Sequence, residues 1–311
     1  MRAAYGPGHR LHLHLHVLGG RKAARMRVLC VHGMGQQLRG EQQLLGEWVP
    51  ALKDGLGRAG AGGRVTDGDV GMAFYGDLFR PPGQLLAVGE PVLRAGDVAM
   101  GFETELLAAW WDSAAAADPV VVSPTAETLA RTPEFTQKAL RALSASPFMA
   151  GLTLRSMVGD LKQVRGYMLD PATRLKARRR VSDLLTEETQ VVVAHSLGSV
   201  VAYEALCASR RRHRVRAFVT LGSPLGIANL IFERLRPPPD GTGSGVWPGT
   251  DALTWTNLAD AADVVALEKD LRPAFGPRVR NVRTHNGAHA HDVRPYLTEK
   301  RTGEAIAAGL W

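Results

Sequence analysis

Ser196 stands at the centre of Ala194-His195-Ser196-Leu197-Gly198, between the apolar run Val191-Val192-Val193 and the helix-forming stretch Val200–Leu206. A strand that becomes a helix within one residue forces that residue into a strained backbone conformation and lifts its hydroxyl above the sheet. Residues two before and two after must be small, and Ala194 and Gly198 meet that need. The helix behind the serine aims free N–H groups and the positive end of its dipole at negative charge developing beside the hydroxyl. These features suit a nucleophile in acyl transfer, whose tetrahedral intermediate needs two N–H donors. The run Val28-Leu29-Cys30-Val31 leads into His32-Gly33-Met34-Gly35, whose glycines let the backbone present such a donor. The backbone amides of Met34 and Leu197 are the expected pair. Taken alone, the serine motif also arises by chance in Ala/Gly-rich chains and the His-Gly segment as a plain strand-end turn. Their joint occurrence carries the expectation.

These groups meet only if the elements carrying them share one sheet. Short apolar runs bounded by turn residues alternate with helical stretches, the pattern of a parallel sheet wound by crossover helices. The predicted strands are Val28–Val31, Val70–Tyr75, Val191–Ala194, Val215–Leu221, Leu253–Asn257 and Val279–Thr284, short and apolar as buried parallel strands are. Glu41–Leu56, with Leu44, Leu45, Trp48, Ala51 and Leu52 at helical spacing, supplies the first crossover. The fold class is α/β, a doubly wound, mostly parallel sheet. From Gly76 to Thr189 run 114 residues, where a βαβ unit takes about 30, so something is inserted. Helical periodicity (Phe135, Leu140, Leu143; Phe148, Leu152, Leu154, Met157, Leu161), broken by prolines 119, 124, 133 and 147, makes 101–170 an inserted helical cap on a core of 26–100 and 171–311. Phe148, Met149, Leu152, Met157 and Met168 offer apolar surface to an acyl group, although apolar residues at helical spacing more often bury against neighbours. Pro237–Gly249 reads as a loop or short lid.

With 311 residues, 45% of them apolar, the chain is long enough for one large α/β domain with an insertion. Its net charge of +8 invites a nucleic-acid partner, but the segment Met1–Arg27 holds six basic residues, Arg2, Arg10, Arg21, Lys22, Arg25 and Arg27, and no acidic one. Without those six, 32 basic residues face 30 acidic ones, so a basic leader, 1–25, precedes a nearly neutral body. Arg178-Arg179-Arg180 and Arg210-Arg211-Arg212 lack the interleaved aromatics that stack on bases, and no nucleic-acid partner is expected. In the leader, Leu11-His12-Leu13-His14-Leu15-His16 would put three imidazoles on one strand face, a metal-binding pattern. The plainer reading is a poorly ordered extension before a start at Met26. Cys30 and Cys207 suggest neither a disulfide framework nor a metal site. Leu106–Trp111 is closed off by Glu105 and Asp112, so no integral membrane segment is expected. The N-terminus lacks the apolar core of a secretory signal, which makes a cytoplasmic location the expectation. No cofactor is called for.

The two glycine-flanked motifs together resemble the α/β-hydrolase family, and Ala-x-Ser-x-Gly with Val-His-Gly-Met-Gly is similar to its lipase and esterase branches. Ala194 stands where that family usually has Gly. Gly222-Ser223-Pro224-Leu225-Gly226 is similar to a segment of those branches that packs beside the nucleophile helix. The similarity spans Met26–Leu297, with the cap unmatched. In that family the chain order is nucleophile, acid, histidine, so the resemblance asks for two partners downstream. Trp255-Thr256-Asn257-Leu258 ends a strand and is followed by Asp260 and Asp263, either of which reaches the top of the sheet; Asp260 could equally cap a helix starting near Ala261. Asp263-Val264-Val265 is similar to the family's Asp-x-(Ile/Val)-Val pattern and favours Asp263. His285, His289 and His291 share one loop, and the stretch from His291 to Tyr296-Leu297 resembles a His-x4-Tyr-Leu arrangement of bacterial members. His291 is therefore first choice and His289 second. A metal on His-x-His is the lesser alternative, and His32 and His195 take core or turn roles.

The resemblance implies a serine hydrolase that cleaves a lipid-like or small acyl ester through an acyl-enzyme, with Ser196, Asp263 and His291 catalytic and the Met34 and Leu197 amides holding the oxyanion. The contrasting expectation is a non-catalytic α/β-hydrolase scaffold that binds a ligand or protein through its cap.

Overall fold

Successive residues of a strand point to opposite faces, so an apolar run without polar interruption has to be covered on both sides. The computed structural model, which describes residues 25–80, 93–125, 133–146 and 154–311, meets that requirement with a six-stranded parallel sheet between helices. In chain order the elements are β1 (Val28–Val31), α1 (Glu41–Arg58), β2 (Val70–Ala73), α2 (Phe102–Ala117), α3 (Pro133–Ala145), α4 (Leu154–Leu169), α5 (Pro171–Ser182), β3 (Val191–His195), α6 (Leu197–Ser209), β4 (Ala217–Leu221), β5 (Thr254–Asp260), α7 (Arg272–Phe275), β6 (Arg280–Thr284), α8 (Val293–Thr298) and α9 (Lys300–Gly309). Leu29, Val31, Val192, Ala194 and Phe218 bury on one face, in a core shared with α2 to α6. Val28, Cys30, Val191, Val193 and Val219 bury on the other, against α1, α8 and α9.

The strand order is β2-β1-β3-β4-β5-β6. The chain winds from β1 outward to β2 and then returns to the opposite side of β1 as β3. The carboxyl ends of β1 and β3 thus border the crevice where the winding reverses, the place at which open α/β sheets bind ligands.

Strand ends differ from expectation for local reasons. β2 stops at Ala73, because the Tyr75 N–H donates to His32 Nε2 at 3.1 Å instead of joining the ladder. β5 runs on to Asp260, whose partner in β6 is Thr284. No helix begins near Ala261, which corrects the capping alternative for Asp260: the residue ends a strand and its carboxylate braces the turn that follows, accepting the Ala262 N–H at 2.7 Å.

The long interval between β2 and β3 carries α2 to α5. Leu106, Trp110, Phe135, Leu140, Met157 and Leu161 from α2, α3 and α4 join the same continuous core as the sheet face. Met157 and Met168 are buried in it, as their helical spacing predicts. Phe148, Met149 and Leu152 lie outside the described residues, as do residues 1–24 of the leader with histidines 12, 14 and 16. Pro237–Gly249 contains no helix or strand. Arg179, Arg180 and the Arg210-Arg211-Arg212 turn are exposed, and both cysteines are free and buried. No helix among the described residues is long and apolar enough to cross a membrane.

Candidate active site

The junction between β3 and α6 consists of one residue, Ser196, with φ 53° and ψ −133°. Such a conformation costs on the order of 1–3 kcal/mol in a residue other than glycine and persists only where the surroundings fix it. Here the Ser196 N–H donates to the Leu221 carbonyl at 3.0 Å and the Ser196 carbonyl accepts the Ser199 N–H at 2.9 Å. Ser199 Oγ lies 2.7 Å from Ser223 Oγ, so the Gly222–Gly226 segment packs beside α6. The small residues have steric causes. A Cβ on Gly198 would stand 2.2 Å from the His32 carbonyl oxygen, and one on Gly33 would stand 2.6 Å from Ser196 Cβ.

The serine hydroxyl faces an imidazole. Ser196 Oγ lies 2.9 Å from His291 Nε2, and His291 Nδ1 lies 2.8 Å from both oxygens of Asp263. An ionised carboxylate only accepts, so Nδ1 carries the ring proton and Nε2 offers its lone pair to the hydroxyl. Asp263 is buried and also accepts the Val265 N–H at 3.0 Å and the Tyr296 hydroxyl at 2.8 Å. Burial alone would push this carboxyl up. The His291 ring, the Lys269 ammonium and the Tyr296 hydroxyl outweigh burial and hold it at about 2. Gly222 runs past with φ +55°, so close that a Cβ there would stand 2.5 Å from Asp263 Oδ2.

The alternates stand elsewhere. Asp260 is buried, its carboxylate accepts the backbone N–H groups of Ala262 and Asn286, and its own N–H donates to the Tyr296 hydroxyl at 2.8 Å. It ties the histidine loop to the end of β5. His289 is exposed at the rim of the cleft, and its carbonyl accepts the Asp292 N–H at 2.9 Å. Among the described residues no group of three or more histidine, cysteine or acidic side chains is arranged to hold a metal ion.

The N–H groups of Met34 and Leu197 have no hydrogen-bond acceptor among the described residues. Leu197 opens α6, where an N–H finds no partner inside the helix. Met34 follows Gly33 along a cleft of about 770 Å³ bounded by the His32–Arg39 segment, by α4 and by the loop carrying His289 and His291. Gly33, Met34, His195 and His291 line it. Ser196 itself is 1% exposed. The hydroxyl is thus less open than its lifted position on the turn suggests, because Gly33 and His291 close over it.

Both histidines expected in core or turn roles shape this site. The His32 ring Nδ1 donates to the Gly33 carbonyl at 2.7 Å, while the Tyr75 hydroxyl donates to the His32 carbonyl at 2.7 Å. His195 Nε2 donates to the His291 carbonyl at 2.9 Å. Burial pushes His32 down to about 4 and His195 down to about 3, so both rings are neutral. Sequence reasoning did not find the contact between His195 and His291, nor the role of Gln163, which accepts the Gly35 N–H at 3.0 Å and donates to Gln37 Oε1 at 2.8 Å. A signal for the latter does exist: Asp160 and Gln163 form a polar i, i+3 pair amid Met157, Leu161 and Val164 on a helix whose neighbouring positions bury apolar side chains.

Compared with protein-family models, with curated proteins and with solved structures, the chain matches none.

Proposed function

We propose that the chain is a serine hydrolase that cleaves an ester through an acyl-enzyme intermediate. The observation that carries this reading is the unbroken run of hydrogen bonds from Ser196 through His291 to Asp263, at 2.9 and 2.8 Å, on a serine held at φ 53°. His291, oriented by Asp263, accepts the hydroxyl proton as Ser196 Oγ attacks the ester carbonyl. The oxyanion takes hydrogen bonds from the Met34 and Leu197 amides. Collapse expels the alcohol, which leaves with the proton from His291. Water then gives a proton to the same imidazole and attacks the acyl-enzyme, and Ser196 recovers its proton as the acid departs. Without such a base a serine hydroxyl is a poor nucleophile at neutral pH.

The resemblance to α/β-hydrolases is supported by the parallel sheet, the reversal of winding between β1 and β3 and the one-residue junction at Ser196. Helices α2 to α4 fall within 101–170, the stretch expected to form an inserted cap, and α4 walls the cleft. Fold analogy alone does not establish an activity, so the test is chemical. A fluorophosphonate probe is expected to label the wild-type protein at Ser196 and to leave Ser196→Ala unlabelled, with p-nitrophenyl ester turnover lost in the variant and its circular dichroism unchanged. Full turnover in Ser196→Ala, or a folded wild-type protein that the probe leaves untouched, overturns the assignment in favour of a non-catalytic scaffold.

A further inference from the structure

The wall that α4 contributes to the cleft is polar. Arg155, Ser156, Asp160, Lys162 and Gln163 of α4 line it, while Met157, Leu161 and Val164 of the same helix enter the core. One of these side chains is out of place for a folded protein. Asp160 is 7% exposed, and its Oδ1 lies 3.4 Å from where a Cβ on Gly35 would stand. Among the described residues, burial and the charge of His291 are the influences on its ionisation, and no hydrogen-bond donor is among them. Burial raises it to about 7, with His291 pulling the other way.

The adjoining turn repeats the pattern. Gln36 lines the cleft and its Nε2 donates to the Met34 carbonyl at 3.2 Å, while its buried Oε1 has no partner among the described residues. Buried acceptors are almost always paired, so the unpaired Gln36 Oε1 next to Gly35, with the Asp160 carboxyl close to the same glycine, marks where a ligand's donor belongs. Neighbouring charges do not fill that place. Arg39 pairs with Glu47, Lys162 with Glu103, and Arg294 with Asp292. These three cations of the cleft are thus already engaged by carboxylates, which leaves room for a neutral donor from a ligand.

We propose that the cleft is built for an ester carrying a hydroxyl group near its carbonyl, that Asp160 accepts the single O–H of that group, and that Gln36 Oε1 stands beside it as the weaker, bifurcated acceptor. This inference rests on the serine hydrolase reading and narrows it, away from a plain aliphatic acyl chain. The hydroxyl can belong to the acyl half or to the alcohol half of the ester. The chemistry of recognition is the same in both.

The experiment compares kcat/KM for ethyl butyrate, ethyl 3-hydroxybutyrate and 2,3-dihydroxypropyl butyrate in the wild-type protein, Asp160→Ala, Asp160→Asn and Gln36→Ala. The wild type is expected to prefer at least one hydroxylated ester, and which one identifies the half that carries the hydroxyl. Assayed at pH 8, where Asp160 has given up its proton, Asp160→Ala is expected to lower the ratio of hydroxylated to plain ester about ten- to a hundredfold, the range for a lost hydrogen bond to a charged acceptor. Gln36→Ala, a change on the loop and not on α4, lowers the same ratio to a smaller extent. A wild type that prefers ethyl butyrate, or a ratio unmoved by these substitutions, overturns the inference. Fluorophosphonate labelling separates it from the parent reading: labelled Ser196 with none of these esters turned over refutes the substrate class alone, whereas absence of labelling removes the hydrolase itself.

Discussion

His195 Nε2 donates a hydrogen bond to the carbonyl oxygen of His291 across 2.9 Å. The residue preceding the candidate nucleophile therefore holds the loop that presents the candidate base, and the two rings lie 4.7 Å apart. His195→Ala is expected to lower kcat for an ester about ten- to a hundredfold, because a small misplacement of a reacting group costs on that order, with KM moved much less. His195→Gln, whose amide can still donate, is expected to recover part of the loss. Steady-state kinetics on both variants check this, and an unchanged kcat in His195→Ala removes the positioning role.

Tyr296 joins the two acidic candidates. Its hydroxyl accepts the Asp260 N–H at 2.8 Å and donates to Asp263 Oδ2 at 2.8 Å. Tyr296→Phe leaves a buried N–H unpaired and deprives Asp263 of one donor, so the expected loss of stability is about 1–3 kcal/mol. Urea unfolding at pH 7 measures it.

Gly198 lets α6 start against the end of β1. The methyl group of Gly198→Ala would meet the His32 carbonyl oxygen at 2.2 Å, and that atom belongs to the backbone. Forcing it aside is expected to cost about 1–3 kcal/mol and to displace the Leu197 amide along with the helix. A melting temperature equal to the wild type's, with unchanged fluorophosphonate labelling, would show that the contact relaxes freely.

Stability should rise with pH between about 4 and 6.5. His32 and His195 are pushed down by burial to about 4 and about 3 from 6.5. Below 6.5 the unfolded chain takes up protons that the folded chain refuses, at up to about 1.4 kcal/mol per pH unit for each ring. Asp160, raised to about 7 by burial, opposes them: the folded chain keeps its proton between 3.8 and 7, and that contribution is lost as pH rises through 7. Asp263, held at about 2, adds a further loss only below 3.8. Two histidines outweigh one carboxyl, so the net slope is positive. Asp160→Asn should accordingly gain stability over the wild type as pH rises from 4 to 7 and hold that gain above 7. Urea midpoints for both proteins from pH 4.5 to 8 decide the sign.

What the sequence determined by itself was local. Short apolar runs bounded by turn residues located the strands, since a strand covered on both faces admits few polar residues; the edge strand β6, with its exposed arginines, departs from that composition. The small residues around Ser196 were legible because one turn imposes one steric rule on its near neighbours. Which carboxylate meets which imidazole was decided only by tertiary structure. Asp260 and Asp263 are three residues apart, and one binds the loop backbone while the other binds the ring, because β5 extends to Asp260 and directs the following turn. The contacts of His195 with His291 and of Gln163 with Gly35 span 96 and 128 residues. No period or motif encodes such distances. They exist because the parallel sheet brings the ends of β1, β3 and β5 to one edge, where chain-distant side chains satisfy one another's hydrogen bonds.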